Sequence, residues 1–238
     1  MLSAFHPTKR LLVETVVNLL NTKSPSEILA EEVLEISGVS KGSMYHHFED
    51  LQDLVETAQI YRYSKWIDAS IEFLTNNVAT ARSKEELREA LKVLTVVTQT
   101  DERKAARTER ALALAACFEN PRMAKQMGHE SQRMTDAITD VVEDLKNKEF
   151  INSDVNAKAA ATWIQAYTLG KLVNDYNPTG VTENEWVDFI MSIVDTRFMA
   201  KLKNRSNERL FYLTLSGFNL DNHGVLGYEM GGVALTSS

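Results

Sequence analysis

The sequence predicts an all-α protein with a three-helix N-terminal head, a helical body of about six helices and a C-terminal tail of different character. Three observations carry this. Apolar residues recur every three to four positions over most of the chain. Only 10 glycines and 4 prolines interrupt 238 residues, too few for the frequent turns of a sheet protein. Serine, threonine, asparagine or aspartate precedes most periodic stretches, where its side chain can accept from the first unpaired helix amides. Hydrophobic residues make up 44% of the chain, enough for a sizeable core and too many for wholesale disorder.

The elements follow in order. From Thr8, the residues Leu11, Leu12, Val16, Leu19 and Leu20 recur at helical spacing and predict a first amphipathic helix. Ser24-Pro25-Ser26-Glu27 combines a cap, a proline at the first helical position and a capping-box glutamate. It predicts a second helix from about Pro25 to Ser37, with Ile28, Leu29, Val33 and Ile36 inward. Gly38 ends that helix, since glycine tolerates a left-handed turn. Ser40 caps a short third helix, Lys41 to about Phe48, and Asp50 caps a long fourth, to about Thr75. Ser83 opens a helix to about Thr98, and another spans roughly Glu102 to Phe118. Asn120-Pro121 opens one to Lys148, about 42 Å long at 1.5 Å per residue. Ser153 is expected to cap a helix from Asp154 to about Tyr176, and Asn177-Pro178-Thr179-Gly180 to turn the chain. Thr182 with Glu185 opens a last helix, to about Asn204. The glycine-bearing remainder from Arg205 reads as an appended tail holding a short strand or hairpin. The expected divisions are 1–52 for the head, 53–204 for the body and 205–238 for the extension.

One cysteine, Cys117, allows neither an internal disulfide nor a cysteine zinc cluster and fits a reducing compartment. The segment MLSAFHPTKR lacks an apolar leader core, and no apolar run is long enough to span a bilayer. These features predict a soluble, cytoplasmic protein with no membrane partner. The net charge of −7 is not the bulk signature of a nucleic-acid binder, so any such contact must come from a small local surface.

The informative stretch runs from Ile36 to Phe48. A helix, a tight glycine turn and a second short helix form a helix-turn-helix unit. Gly38 permits the turn and Val39 pins it to the core. Ser40 frees the next helix N-terminus to face phosphate, and the short helix can then present side chains to base edges in a major groove. An ordinary helical hairpin shares part of this pattern.

Ser37-Gly38-Val39-Ser40-Lys41-Gly42-Ser43-Met44-Tyr45-His46-His47-Phe48, with Leu54 soon after, resembles the recognition segment of the TetR family of bacterial regulators. The resemblance covers about the first quarter of the chain. It implies that Ser40, Lys41, Gly42 and Ser43 meet the groove, Lys41 donating to guanine acceptors or phosphate. Gly42 would let the backbone approach, Tyr45 and His46 would touch phosphate or a thymine methyl, and His47 would lie at the groove edge. Thr8, Lys9 and Arg10 would clasp the DNA backbone, and Met44 and Phe48 would be core. The chain departs from the family in having Leu51 where many members carry a lysine, Leu29 where a threonine is common, and Glu31 at a DNA-facing position. Residues 1–55 hold four basic residues (Lys9, Arg10, Lys23, Lys41) against eight acidic ones (Glu14, Glu27, Glu31, Glu32, Glu35, Glu49, Asp50, Asp53). Because phosphate neutralisation drives much of DNA affinity, weaker or more salt-sensitive binding than a typical member, or dependence on cooperative dimers, is expected.

The resemblance further implies a homodimer through the last two long helices, a palindromic double-stranded operator, and a small-molecule effector that shifts DNA affinity, most often as a repressor. Ala157, Ala160, Ala161, Ile164 and Leu172, with Trp186, Phe189, Ile190, Ile193 and Phe198, are the expected dimer faces. Met123, Met127, Met134, Cys117, Trp163 and Tyr167 are candidates to line an effector pocket, with His129, Gln165 and Asn174 as polar orienters; core packing accounts for them equally. His46 and His47 are adjacent and diverge on a helix, and His6, His129 and His223 are scattered in sequence, so no metal site is expected. No nucleophile elbow, phosphate-cradling glycine loop or zinc-protease pair occurs, so neither an enzyme nor a cofactor is expected. The alternative is a helical protein-interaction module with a degenerate head.

Overall fold

The computed structural model describes residues 5–199 together with two short strands, β1 (Asn219–Leu220) and β2 (Leu226–Gly227). The chain divides into two compact units, residues 1–200 and 201–238. In the second, β1 and β2 pair antiparallel, Asn219 opposite Gly227 and Leu220 opposite Leu226. The rest of the expected tail, and the end of the predicted last helix at residues 200–204, lie outside the described residues.

Helix α1 (Pro7–Leu19) begins with proline at its first position and is capped by His6, whose Nδ1 accepts from the Thr8 amide at 3.3 Å. Its inward face buries Leu12, Val13 and Val16. The second predicted helix is corrected. The Ser24–Glu27 box closes only a single 3-10 turn, Pro25–Glu27. Ile28 and Leu29 are then extended, and α2 spans only Ala30–Ser37. The extended pair drops Ile28 into the core, while Leu29 and Ile36, expected inward, are 58% and 59% exposed. Gly38 ends α2 in the left-handed region at φ 66°, donating its amide to the Leu34 carbonyl at 2.9 Å. Helix α3 (Lys41–His47) is capped by Ser40, which accepts from the Ser43 amide at 3.2 Å. Asp50 opens α4 (Leu51–Phe73), accepting from the Asp53 amide at 2.7 Å. The head packs around Leu12, Val16, Val33, Met44, Phe48 and Leu54, the last of these on α4. The expected boundary at residue 52 therefore falls inside α4, which runs on into the body.

Behind it, α4 widens into a π turn (Leu74–Val78). Helix α5 (Lys84–Gln99) is capped by Ser83, and a 3-10 turn (Asp101–Arg103) leads into α6 (Lys104–Ala116). Helix α7 (Pro121–Asn147) is capped by Asn120. The helix expected to start at Asp154 is corrected. Asn156, not Ser153, accepts from the Ala159 amide at 2.9 Å and opens α8 (Ala157–Gly170). Ile151 and Val155 before it are buried loop residues, so the apolar period includes chain that is not helical. A one-turn α9 (Leu172–Asp175) follows, then α10 (Glu183–Ile193), opened by the Thr182–Glu185 capping box and closed by a π turn (Val194–Met199). Asn152 ties that turn down, its amide donating to Phe198 O at 2.8 Å and its side chain to Arg197 O at 3.2 Å.

The main body core joins Leu87, Ile138, Val142, Leu145, Ala160 and Ala161. Part of the expected dimer faces goes to the same core, while Ile164, Leu172, Trp186 and Ile193 are partly buried. Ala157, Ala160, Ala161, Ile190 and Phe198 are buried within their own subunit; of the expected set only Phe189, at 59%, is exposed. The more apolar face of each helix is claimed by its own core, and periodicity cannot distinguish burial within a chain from burial between chains. No helix among the described residues is long and apolar enough to cross a membrane.

Candidate functional site

The short helix α3 is held from below and open above. Met44 and Phe48 are buried anchors, whereas Ser40, Lys41, Gly42, Tyr45 and His46 are exposed and Ser43 and His47 are partly so. The start of α1 lies alongside. The His6 ring stacks on His47 at 5.2 Å, and His47 meets His46 at 5.1 Å. His6, remote in sequence, thus joins the same face. Burial first, then the positive fields of His46, His6 and Lys9, holds the His47 imidazole below the ordinary histidine value. Lys9 places its ammonium 5.0 Å from the Phe5 ring and 4.8 Å from the Phe48 ring, which fixes its stem against the head. Thr8 is partly buried and Arg10 exposed.

The head's acids are partly engaged within the chain. Glu27 and Asp50 serve helix starts, and Glu32 binds Lys23 at 2.6 Å. Glu49, Asp53 and Glu56 converge on Arg122 of α7, Asp53 at 3.0 Å. Arg122 lies outside residues 1–55, so a charge count over that segment misses the cation that compensates it.

A second feature lies in the body. Helices α4 to α8 and the turn after α10 surround a cavity of about 360 Å³. Its wall is mostly apolar, with Trp66, Phe73, Leu91, Leu94, Ile138 and Trp163 among its members. Trp163 packs against Tyr167 and Phe198, with ring centres 4.8 and 5.6 Å apart. Tyr167 meets Thr95 Oγ1 at 3.3 Å, and burial raises its phenol further above the ordinary value, so it stays neutral. Gln165 donates to Thr135 Oγ1 at 2.9 Å.

Of the candidate ligand residues, Trp163 and Tyr167 line this cavity together with Met134 and Gln165. Met123 and Met127 do not. They are buried, with Cys117 packed against them, in a separate cluster around Ile60, Tyr63, Ile67 and Ala113. His129 is exposed beside Glu130, and Asn174 braces the turn before α10 through Val181. These five fall away from the cavity; for the buried methionines, helical spacing marks a residue as inward without saying which interior it enters. Sequence reasoning missed Arg103 and Arg110, which do line it. The available signal was the spacing of Arg103, Arg107 and Arg110, which puts three cations on one face of an alanine-rich helix.

The middle arginine fixes α6 in place. Arg107 is fully buried and grips Asp175 with two bonds of 2.7 Å, while also donating to the carbonyls of Thr98 and Thr100. Lys171 Nζ lies 3.7 Å from the same carboxylate, and Lys104 donates to the Asp175 carbonyl at 2.6 Å. Burial alone would raise the Asp175 carboxyl; bonds from Arg107 and the charges of Arg107, Lys171 and Lys104 outweigh it and hold it below the ordinary value. Among the described residues no group of three or more His, Cys, Asp or Glu side chains is arranged to hold a metal ion.

No protein-family model matches the chain, and no curated protein matches it in sequence. Solved structures match in shape. The TetR-family transcriptional regulator from Cytophaga hutchinsonii aligns with TM-score 0.57 at 15% identity, over 82% of this chain and 96% of that one. Salmonella enterica GusR aligns with TM-score 0.56 at 18% identity, over 79% and 93%. E. coli NemR in its reduced form aligns with TM-score 0.57 at 14% identity, over 81% and 98%. With the helix-turn-helix head, the long α4 and the helical body behind it, the chain has the fold of the TetR-family transcriptional regulators.

Proposed function

We propose that the protein is a cytoplasmic, ligand-responsive transcriptional regulator, a repressor that binds a palindromic operator as a homodimer and releases it when an effector occupies the body cavity. One observation carries this reading. The exposed face of α3, with Lys41, Gly42, Tyr45 and His46, stands clear of its own subunit on buried Met44 and Phe48. That is the arrangement a major-groove reader requires. Arg10, with His6 and Lys9 beside it, extends the face toward flanking phosphate.

Dimer and effector roles follow from the fold's regulators and have local support. Exposed Phe189 on α10 and Val173 on α9 remain apolar and unburied, available to a second copy. Two heads would then address half-sites about 34–36 Å apart or a multiple of that. Arg62 on α4 donates to Leu20 O at 3.0 Å and to Glu109 of α6 at 2.7 Å. It therefore links the end of α1 to the residue preceding Arg110 in the cavity wall. An effector that moves α6 would move the head, and DNA and effector would weaken each other by the same factor.

The test is selection from a random duplex pool, followed by gel shift and sedimentation. Wild type should enrich a palindrome and bind it as a dimer, while Lys41→Ala and Tyr45→Ala should weaken binding at least tenfold with sedimentation unchanged. Affinity should fall steeply with added salt. Enrichment of no sequence would sink the reading and favour a protein-interaction module.

A further inference from the structure

The cavity's charge is at odds with the chain that builds it. The protein carries an excess of acid, −7 overall, yet among the described residues no aspartate or glutamate lines the cavity, and the two charged wall residues are both arginines, Arg103 and Arg110. Elsewhere, Arg62, Arg88, Arg107, Arg122, Arg133 and Arg197 each meet a carboxylate. Arg110 meets none among the described residues. Its guanidinium carbon lies 4.2 Å from the Trp66 ring centre, and its Nε donates to Ala106 O at 3.3 Å. The charged neighbours that act on it are Arg107 and Arg103, both of its own sign. Burial, and after it those two cations, pushes Arg110 down to about 10, despite an opposing pull from Tyr63.

A guanidinium in that position is a cation partly withdrawn from water with no counter-ion among the described residues. Its donors are held in a rigid planar fork suited to a carboxylate or phosphate. Among the described wall residues only Arg103 offers a second positive charge to an anion. Tyr167 is neutral, and Thr95, Thr98 and Thr168 offer hydroxyls. Apart from Ser70 and Gln165, the remaining described lining is aromatic and aliphatic, so it rewards burial of a hydrocarbon body. The volume of about 360 Å³ leaves space for at least about a dozen non-hydrogen groups at ~30 Å³ each.

We propose that the cavity takes an amphipathic anion, a hydrocarbon body of roughly a dozen carbons seated between Phe73, Leu94, Ile138 and Trp163, its carboxylate on Arg110 with Arg103 beyond. This names the class of effector and rests on the regulatory reading above. Arg107 is not available for the role, since Asp175 saturates it.

The probes are dodecanoate and dodecanol, which differ only in the head group. Trp66 and Trp163 line the cavity, so binding to the full chain reads as a change in tryptophan fluorescence. Wild type should bind dodecanoate at least tenfold more tightly than dodecanol. Arg110→Gln should weaken dodecanoate at least tenfold and leave dodecanol unchanged, which also certifies an intact cavity in the variant. Arg110→Lys should keep part of the preference. Equal affinity of wild type for the two probes, no binding of either, or a preference that survives Arg110→Gln would each overturn the proposal. Duplex selection is scored separately. An Arg110-dependent preference without any selected operator would leave the ligand class standing and remove the regulator; a selected operator without the preference would do the reverse.

Discussion

Lys41 stands on the exposed face of α3, in water and with open space before it. Arg110 is half-buried in a cavity wall, its guanidinium carbon 4.2 Å from the Trp66 ring centre. Both are basic side chains without a carboxylate partner among the described residues, but their surroundings set different tasks. In water a cation costs little to leave unpaired and is screened by salt; it suits a partner such as DNA that arrives with its own counterions. In the body the same charge costs more to leave alone, so the fold pairs Arg107 with Asp175, and the proposed anion would do the same for Arg110. The head thus keeps its chemistry on the outside of a dry apolar core, and the body keeps its chemistry inside.

That contrast can be broken by substitution, and the largest effect is expected in the body. Asp175→Asn removes the partner of buried Arg107 and Lys171 and should destabilise the protein by about 3–5 kcal/mol in urea unfolding. The same carboxyl sets an acid limit. Its native value is depressed, so its contribution is fully present above the ordinary aspartate range near 3.9. It is lost as pH falls through the lower native value. The gap between wild type and Asp175→Asn should therefore close as unfolding is repeated toward pH 3.

Next comes the floor of the recognition helix. Met44 is fully buried under α3, and Met44→Ala should cost about 2–4 kcal/mol, with DNA affinity falling because the helix loses its seat. A smaller effect is expected at the turn. Gly38 sits at φ 66° with open space where a Cβ would be, so Gly38→Ala should cost only the backbone term, about 1 kcal/mol. The smallest is on the head surface. The Lys23–Glu32 pair is partly exposed, and Lys23→Ala should change stability by less than about 1 kcal/mol. A loss from Lys23→Ala as large as that from Asp175→Asn would show that the division between exposed and buried charge has been drawn in the wrong place.

Local helix-end signals were legible in head and body alike. Ser40, Asp50, Asn120 and Thr182 accept from amides three residues on, and Gly38 donates its amide to the Leu34 carbonyl four residues back, so the residue and its partner are visible together. The failures were of two kinds. Ser24 and Glu27 made a true capping box on a single turn, because a cap fixes where a helix can start and says nothing of how far it continues. Ser153 lost to Asn156 because the intervening Ile151 and Val155 bury as loop, giving a helical-looking period without a helix.

What the chain determined by itself was local: the order of its helices, most of their ends, the turn at Gly38 and the apolar side of each segment. These rest on hydrogen bonds and packing within a few residues. Only the folded structure decided which interior each apolar side entered, that Met123 and Met127 belong to one cluster and Trp163 and Tyr167 to a cavity. The same holds for His6 on His47, for Arg122 beside the head's acids, and for Arg110 left without a carboxylate. Each joins residues far apart in the chain, and the free energy of such a contact depends on the three-dimensional surroundings of both partners.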